Sequence, residues 1–160
     1  MRIERVDPGD RALVEQCARM MIATEPWITL RRTLDGALRT LGDPAKELYA
    51  ASEGDQLAGS ILLDLRGPLA GYIQSVCVRA DSRGRGVGKA LVSWAEERIY
   101  RESPNVFLFV SSFNGDALRF YERLGFEVVG RVPGFIVPEH DEILMRKTLG
   151  PWSGSHADDS

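Results

Sequence analysis

The chain has 160 residues, 44% hydrophobic and 27% charged, which suits one packed domain of ordinary surface charge. A formal net charge of −3 argues against nucleic acid as a partner, so any anion site has to be local. No stretch approaches the ~18 consecutive apolar residues of a membrane span, and Met1-Arg2-Ile3-Glu4-Arg5 lacks the apolar core of a signal peptide. Cys17 and Cys77 read as reduced, buried thiols of a cytoplasmic protein. With His140 and His156 as the only histidines, no spacing fits a metal site.

Arg2 to Val6 alternates as a short strand, and Asp10 can cap a helix carrying Leu13, Val14, Cys17, Met20 and Met21 on one stripe. Pro26 breaks that helix. A second is expected from Thr29, with Leu30, Leu34, Leu38 and Leu41 on one side, ending at Gly42-Asp43-Pro44. Glu47–Ala51 and Leu57–Leu65 read as a hairpin around Glu53-Gly54-Asp55-Gln56, and Tyr72–Val78 as the next strand. A glycine-rich loop follows, then a helix from about Val87 to Arg101 with Val87, Leu91, Trp94 and Ile99 as its apolar set. Val106–Val110 is apolar throughout, as in a strand buried on both faces. A helix from Asp116 to Leu124 stops at Gly125, and Phe126–Val132 and Ile143–Leu149 close the chain as strands. Residues 1–149 are expected to form one α/β domain, and 150–160, rich in Gly, Ser and Asp, a flexible tail.

The loop Arg83-Gly84-Arg85-Gly86-Val87-Gly88-Lys89 joins a strand to a helix. The first N–H groups of a helix lack internal partners, the helix dipole is positive there, and glycines let a ligand come close. The combination makes a local anion site in an acidic protein. Three phosphate loops compete. A P-loop needs four residues between its first glycine and Gly-Lys, then Ser or Thr. Here Gly84 stands too near Gly88, and Ala90 follows Lys89. A dinucleotide loop needs a third glycine where Lys89 stands, and a place at the start of a βαβ unit. The third pattern, Arg/Gln-x-x-Gly-x-Gly/Ala, is met by Arg83, Gly86 and Gly88.

On that loop the chain resembles the GNAT superfamily of N-acetyltransferases. A second segment strengthens the resemblance: Asn114, Ala117, Tyr121, Gly125 and Phe126 fall as in the family's Asn-x-x-Ala-x-x-x-Tyr-x-x-x-Gly-Phe. The resemblance implies a central, mixed, mostly antiparallel sheet of about seven strands with about four helices. Its two parallel strands splay apart to form an acyl-CoA cleft. It implies acetyl-CoA as co-substrate, with backbone groups of the Val76-Cys77-Val78 segment along the pantetheine arm and Arg83 to Lys89 around the pyrophosphate. Asn114 and Ala117 would border the arm, and Tyr121 would protonate the leaving thiolate. Cys77, facing away from Val76 and Val78, is not expected to act as a nucleophile.

The general base stays open. Relatives carry glutamate where this chain has Gln74 and Phe109, and neither of these titrates, although Gln74 could hold a water relay. Glu25, Glu139, His140 and Asp141 are the remaining candidates. Glu25, Trp27, Phe135 and His140 are expected to border an acceptor site for a primary amine of a small molecule, peptide or protein. Two alternatives remain, an acyl-CoA sensor without catalysis and a nucleotide-binding domain using Gly84 to Lys89; a homodimer, with the last strand as its contact, is compatible with the main reading.

Overall fold

Alternating apolar residues place seven strands in one sheet of the computed structural model, which describes residues 1–155. They are β1 (Arg2–Arg5), β2 (Glu47–Glu53), β3 (Gln56–Asp64), β4 (Tyr72–Val78), β5 (Asn105–Ser111), β6 (Glu127–Val132) and β7 (Glu142–Thr148), in the order β1-β2-β3-β4-β5-β7-β6. Only β4 and β5 run parallel; every other neighbouring pair is antiparallel. The expected sheet is therefore present. The last strand is not at its edge: β7 lies between β5 and β6, and β6 exposes Val128 and Val129.

Helices α1 (Arg11–Ile22) and α2 (Leu34–Leu41) cover one face, packing Val14, Cys17, Met21 and Leu41 against Leu48, Ala50 and Leu62. Helix α3 (Val87–Ile99) covers the other, setting Leu91, Val92, Ala95 and Ile99 on Ile61, Leu63, Ile73, Leu108 and Met145. Each such large side chain, removed from water, contributes roughly 1.5–3 kcal/mol. Helix α4 (Gly115–Arg123) lies beside α3, with Ala117, Phe120 and Tyr121 against the same core.

Two local expectations are corrected. The second helix starts at Leu34, not Thr29, because Thr33 Oγ1 accepts from Gly36 N at 3.1 Å and caps it there. Leu30 is buried from a turn, which imitates helical spacing. Trp94 is 38% exposed and meets Tyr49 edge-on, while Val92 and Ala95 complete the buried stripe of α3. The segment read as a flexible tail contains a short helix, α5 (Trp152–Ser155), and residues 156–160 of it lie outside the described residues.

Two features of β4 place the site. Gly71, at φ 110°, immediately precedes the strand, and its carbonyl accepts from Phe107 N at 2.9 Å. Pairing with β5 then ends after Tyr72↔Phe107 and Ile73↔Leu108, so the two strands part company beyond these residues. On the other side, Leu62 pairs with Ser75 and Leu63 with Ile73, which leaves Gln74 as one extra residue in a bulge.

Candidate active site

After β4 the chain makes a one-turn 3-10 helix, Ala80–Ser82. Arg79 fastens it, donating to Leu57 O at 2.8 Å and to Ser82 Oγ at 3.3 Å while pairing with Asp81. Gly84 (φ 76°) and Gly86 (φ 82°) take left-handed conformations, and Gly86 caps α3. A Cβ at either glycine would meet nothing within 4 Å, so the loop is an open cradle of bare backbone. The hydrogen bond from Ala90 N to Gly86 O (3.0 Å) closes the first turn of α3, and the N–H groups ahead of it face outward. Arg83 and Lys89 line this groove. Arg85 turns aside to Glu53 at 3.6 Å.

The groove, about 620 Å³, runs from that cradle along Val76 and Val78 to Asn114, Ala117 and Tyr121. Asn114 Oδ1 caps α4 by accepting from Ala117 N at 3.3 Å. Cys77 does not reach the groove with its side chain. It is buried on the α1 side, and burial pushes its thiol up to about 11, as it pushes Cys17 to about 12, so both stay protonated. Tyr121 packs edge-on against Phe120 and Phe126, and burial holds its phenol well above the usual tyrosine range.

A second cavity, about 170 Å³, opens from the same wall through the gap between β4 and β5. Groove and pocket share Glu25, Trp27, Val76, Asn114, Ala117 and Tyr121. Aromatic rings form its sides: Phe109 stacks on Phe135 (5.3 Å between centroids) and meets Tyr72 edge-on at 6.0 Å. Gln74 lines it, with its Oε1 buried. Of the residues expected at the acceptor site, Glu25, Trp27 and Phe135 lie in this pocket. His140 does not; it packs on the Phe113 ring at 4.5 Å.

The candidate bases are mostly engaged elsewhere. Glu25 accepts from Thr29 N (2.8 Å) and Thr29 Oγ1 (2.5 Å), which lowers its pKa. Glu139 pairs with Arg31 at 2.6 Å and Asp141 with Arg131 at 2.8 Å, each held below the usual carboxylate range by its arginine. Glu142 is a residue the sequence reading passed over. It falls between the candidate base Asp141 and the strand expected from Ile143. It lines the pocket, is 4% exposed, and burial raises its pKa. Among the described residues no group of three or more His, Cys, Asp and Glu side chains is arranged to hold a metal ion, and no helix is long and apolar enough to cross a membrane.

A sheet opened between two parallel strands thus has a glycine cradle of bare backbone at one mouth and an aromatic pocket at the other. Comparison with known proteins supplies the family. The acetyltransferase (GNAT) family model matches residues 12–126. The peptidyl-lysine N-acetyltransferase YjaB of Escherichia coli K12 is 29% identical over 82% of this chain and 84% of its own. The acetyltransferase ECA0875 of Pectobacterium atrosepticum is 30% identical over 81% and 88%. An aminoglycoside 6'-N-acetyltransferase, solved with coenzyme A, superposes with a TM-score of 0.74 at 21% identity, over 94% of this chain and 98% of that one. The chain belongs to the acetyltransferase (GNAT) family. It is an N-acetyltransferase that moves an acetyl group from acetyl-CoA to a primary amine, and the acyl-CoA sensor alternative finds no support.

Proposed function

We propose that the cradle at Arg83–Lys89 holds the acetyl-CoA pyrophosphate, that the unpaired edge of β4 at Val76 and Val78 receives the pantetheine arm, and that the thioester lies where groove and pocket share Tyr121. The continuity of the two cavities at that wall carries this reading. The residues fit the donor. Bare backbone at Gly84 and Gly86 admits phosphate oxygens closely, helix N–H groups point at them, and Arg83 and Lys89 add charge. An extended arm can add to a strand edge by main-chain hydrogen bonds.

Tyr121 is the proposed proton donor to the departing sulfur. Its raised pKa keeps the phenol protonated throughout the neutral range. Transfer then requires the sulfur to be desolvated too, which the shared wall of Trp27, Val76 and Ala117 provides. Gln74, in the bulge, is the proposed anchor of a water path to solvent.

The acceptor we propose is a lysine side chain of a peptide or protein. The pocket is narrow and aromatic, suited to an unbranched alkylamine. Its mouth carries the exposed apolar residues Phe135 and Ile136, with Ile28 near by in the chain segment of Trp27. Of the carboxylates open to solvent in this region, Glu25 at the pocket is tied to Thr29, and Glu139 and Asp141, in the loop that follows Ile136, to Arg31 and Arg131. A polycationic small molecule would find few free carboxylates there, whereas a peptide flanking its lysine would find apolar surface. The YjaB relative, named for peptidyl-lysine, points the same way. The test has two stages. Acetyl-CoA and CoA should raise the melting temperature where ATP and NAD do not. Free-thiol release should then depend on a lysine peptide in preference to kanamycin or spermidine. Equal or better release with kanamycin overturns the lysine assignment, and no stabilisation by either CoA species overturns the cradle.

The buried free thiols fit a cytoplasmic setting. The outer strand β6, with Val128 and Val129 exposed, is the surface we propose for a homodimer in place of β7.

A further inference from the structure

The floor of the acceptor pocket holds a buried carboxylate that acetyl transfer has so far left without a role. Glu142 opens β7 and lies opposite Ser111 of β5 in the antiparallel ladder. Both side chains are buried, at 4% and 3% exposure. Glu142 Oε2, Ser111 Oγ and Gln74 Oε1 are each shielded from solvent with no hydrogen-bond partner. All three residues line the same pocket, and no lysine or arginine lines it. Buried polar atoms are almost always paired, and a buried carboxylate needs a cation or a proton. Here the only nearby donor the chain offers the carboxylate is the Ser111 hydroxyl, and no lysine or arginine stands in the pocket to balance its charge. The missing partner therefore brings positive charge and several N–H donors at once, which describes a primary ammonium group.

We propose that Glu142 anchors the acceptor's ammonium group between itself, Ser111 and Gln74, and then serves as the general base that frees its nitrogen to attack. This assignment rests on the acetyl-transfer reading of the site. The ammonium gives one proton to the Glu142 carboxylate. The neutral nitrogen forms a bond to the thioester carbonyl carbon, the carbon–sulfur bond breaks, and the sulfur takes the Tyr121 proton. The nitrogen's second proton passes to Tyr121 and replaces the one it gave up. Glu142 then releases its own. The net change is ammonium plus thioester to amide plus thiol plus one proton.

The surroundings suit a base of this kind. Burial is the dominant influence on Glu142 and raises its pKa, which makes the carboxylate more basic, opposed by the Ser111 hydroxyl and by His140. Tyr72 faces it from β4, its phenol pushed up to about 12 by burial, by Glu142 and by Asp64. From β6 its ladder partner is the apolar Val132. Across the pocket, Glu25 is bound to Thr29. The carboxylates of Glu139 and Asp141, its chain neighbours, are paired with arginines.

Two measurements test the assignment. In protein labelled with carboxyl-¹³C glutamate and free of acetyl-CoA, one resonance should titrate above the usual glutamate range, vanish in Glu142→Gln, and move on addition of butylamine. A Glu142 carboxyl that titrates normally, or that ignores butylamine, overturns the proposal on the unaltered protein. Glu142→Gln should also keep the thermal shift with acetyl-CoA while kcat/KM for a lysine peptide falls at least ~100-fold. The loss should be much smaller for a hydrazide acceptor, already neutral at assay pH. Equal losses for both acceptors overturn the role as base. Loss of the acetyl-CoA shift in the unaltered protein would instead sink the acetyl-transfer reading on which the proposal stands.

Discussion

Gly86→Ala separates what the cradle does for folding from what it does for the ligand. The added Cβ meets no protein atom within 4 Å, so no internal clash opposes it. What remains is the backbone: at φ 82° a side chain costs about 1–2 kcal/mol. For a chain of this size that is a fall of about 2–8 °C in melting temperature. Gly86 lines the groove, so the same methyl adds bulk to the cradle where the first helix N–H groups open. Keeping a phosphate from one such charge-assisted hydrogen bond costs about 1.5–3 kcal/mol, a loss of roughly 10- to 150-fold in CoA affinity. Urea unfolding of the free protein and calorimetric titration with CoA measure the two effects separately. Gly71→Ala is the control, because its Cβ would stand 2.4 Å from Asn105 O and 2.8 Å from Ile99 Cγ2. That variant should lose far more stability than Gly86→Ala. Unchanged CoA affinity in Gly86→Ala, or a stability loss matching that of Gly71→Ala, would refute the view of the loop as a ligand cradle.

Tyr121→Phe should lower kcat by about 100-fold while the KM for acetyl-CoA stays within threefold, measured by steady-state thiol release. Phe135→Ala, which removes the ring stacked on Phe109, should raise the KM for the amine about tenfold and leave CoA binding unchanged. Glu47→Gln should destabilise the fold by about 3 kcal/mol at neutral pH, because Glu47 accepts from Arg98 at 2.7 and 3.0 Å in a largely buried pair. Burial opposes the Glu47 charge, but Arg98, Tyr49 and Arg5 outweigh it and lower its pKa. Its contribution is therefore present above the unfolded carboxylate value of ~4.3 and lost as pH falls through the lower folded value. Urea unfolding from pH 7 to pH 3 should show the two proteins converging in stability, and a constant difference would contradict this.

The sequence carries most of what local chemistry decides. Tyr72–Val78 is the strand that its alternation marks, and the Arg83–Gly88 loop opens α3 as its glycines require. Non-local packing decides the rest. Leu30 continues the spacing of Leu34, Leu38 and Leu41 but is buried from a turn, since Thr33 sets where α2 starts. Trp94 sits on a helical stripe, yet partners Tyr49 at the surface. Glu142 stands just outside the closing strand that the sequence marks from Ile143. It becomes a pocket residue only because β7 inserts between β5 and β6, which brings it opposite Ser111 and behind Phe109. No spacing in the chain announces that insertion. His140, chosen for its titration range, is carried to Phe113 by the same loop that leads into Glu142.

The early end of the β4–β5 ladder also ties the protein's survival to its substrate. Beyond Ile73 and Leu108 the fold carries a seam that its own backbone does not close. A ligand that closes such a seam binds the native state and not the unfolded chain, so mass action adds its binding energy to folding. At a free concentration ~100 times the dissociation constant this is about 2.7 kcal/mol. Amides of Val76 and Val78 should then exchange with solvent at rates that track acetyl-CoA concentration. In a cell short of acetyl-CoA, the enzyme would be more exposed to proteolysis at the moment it has least to transfer.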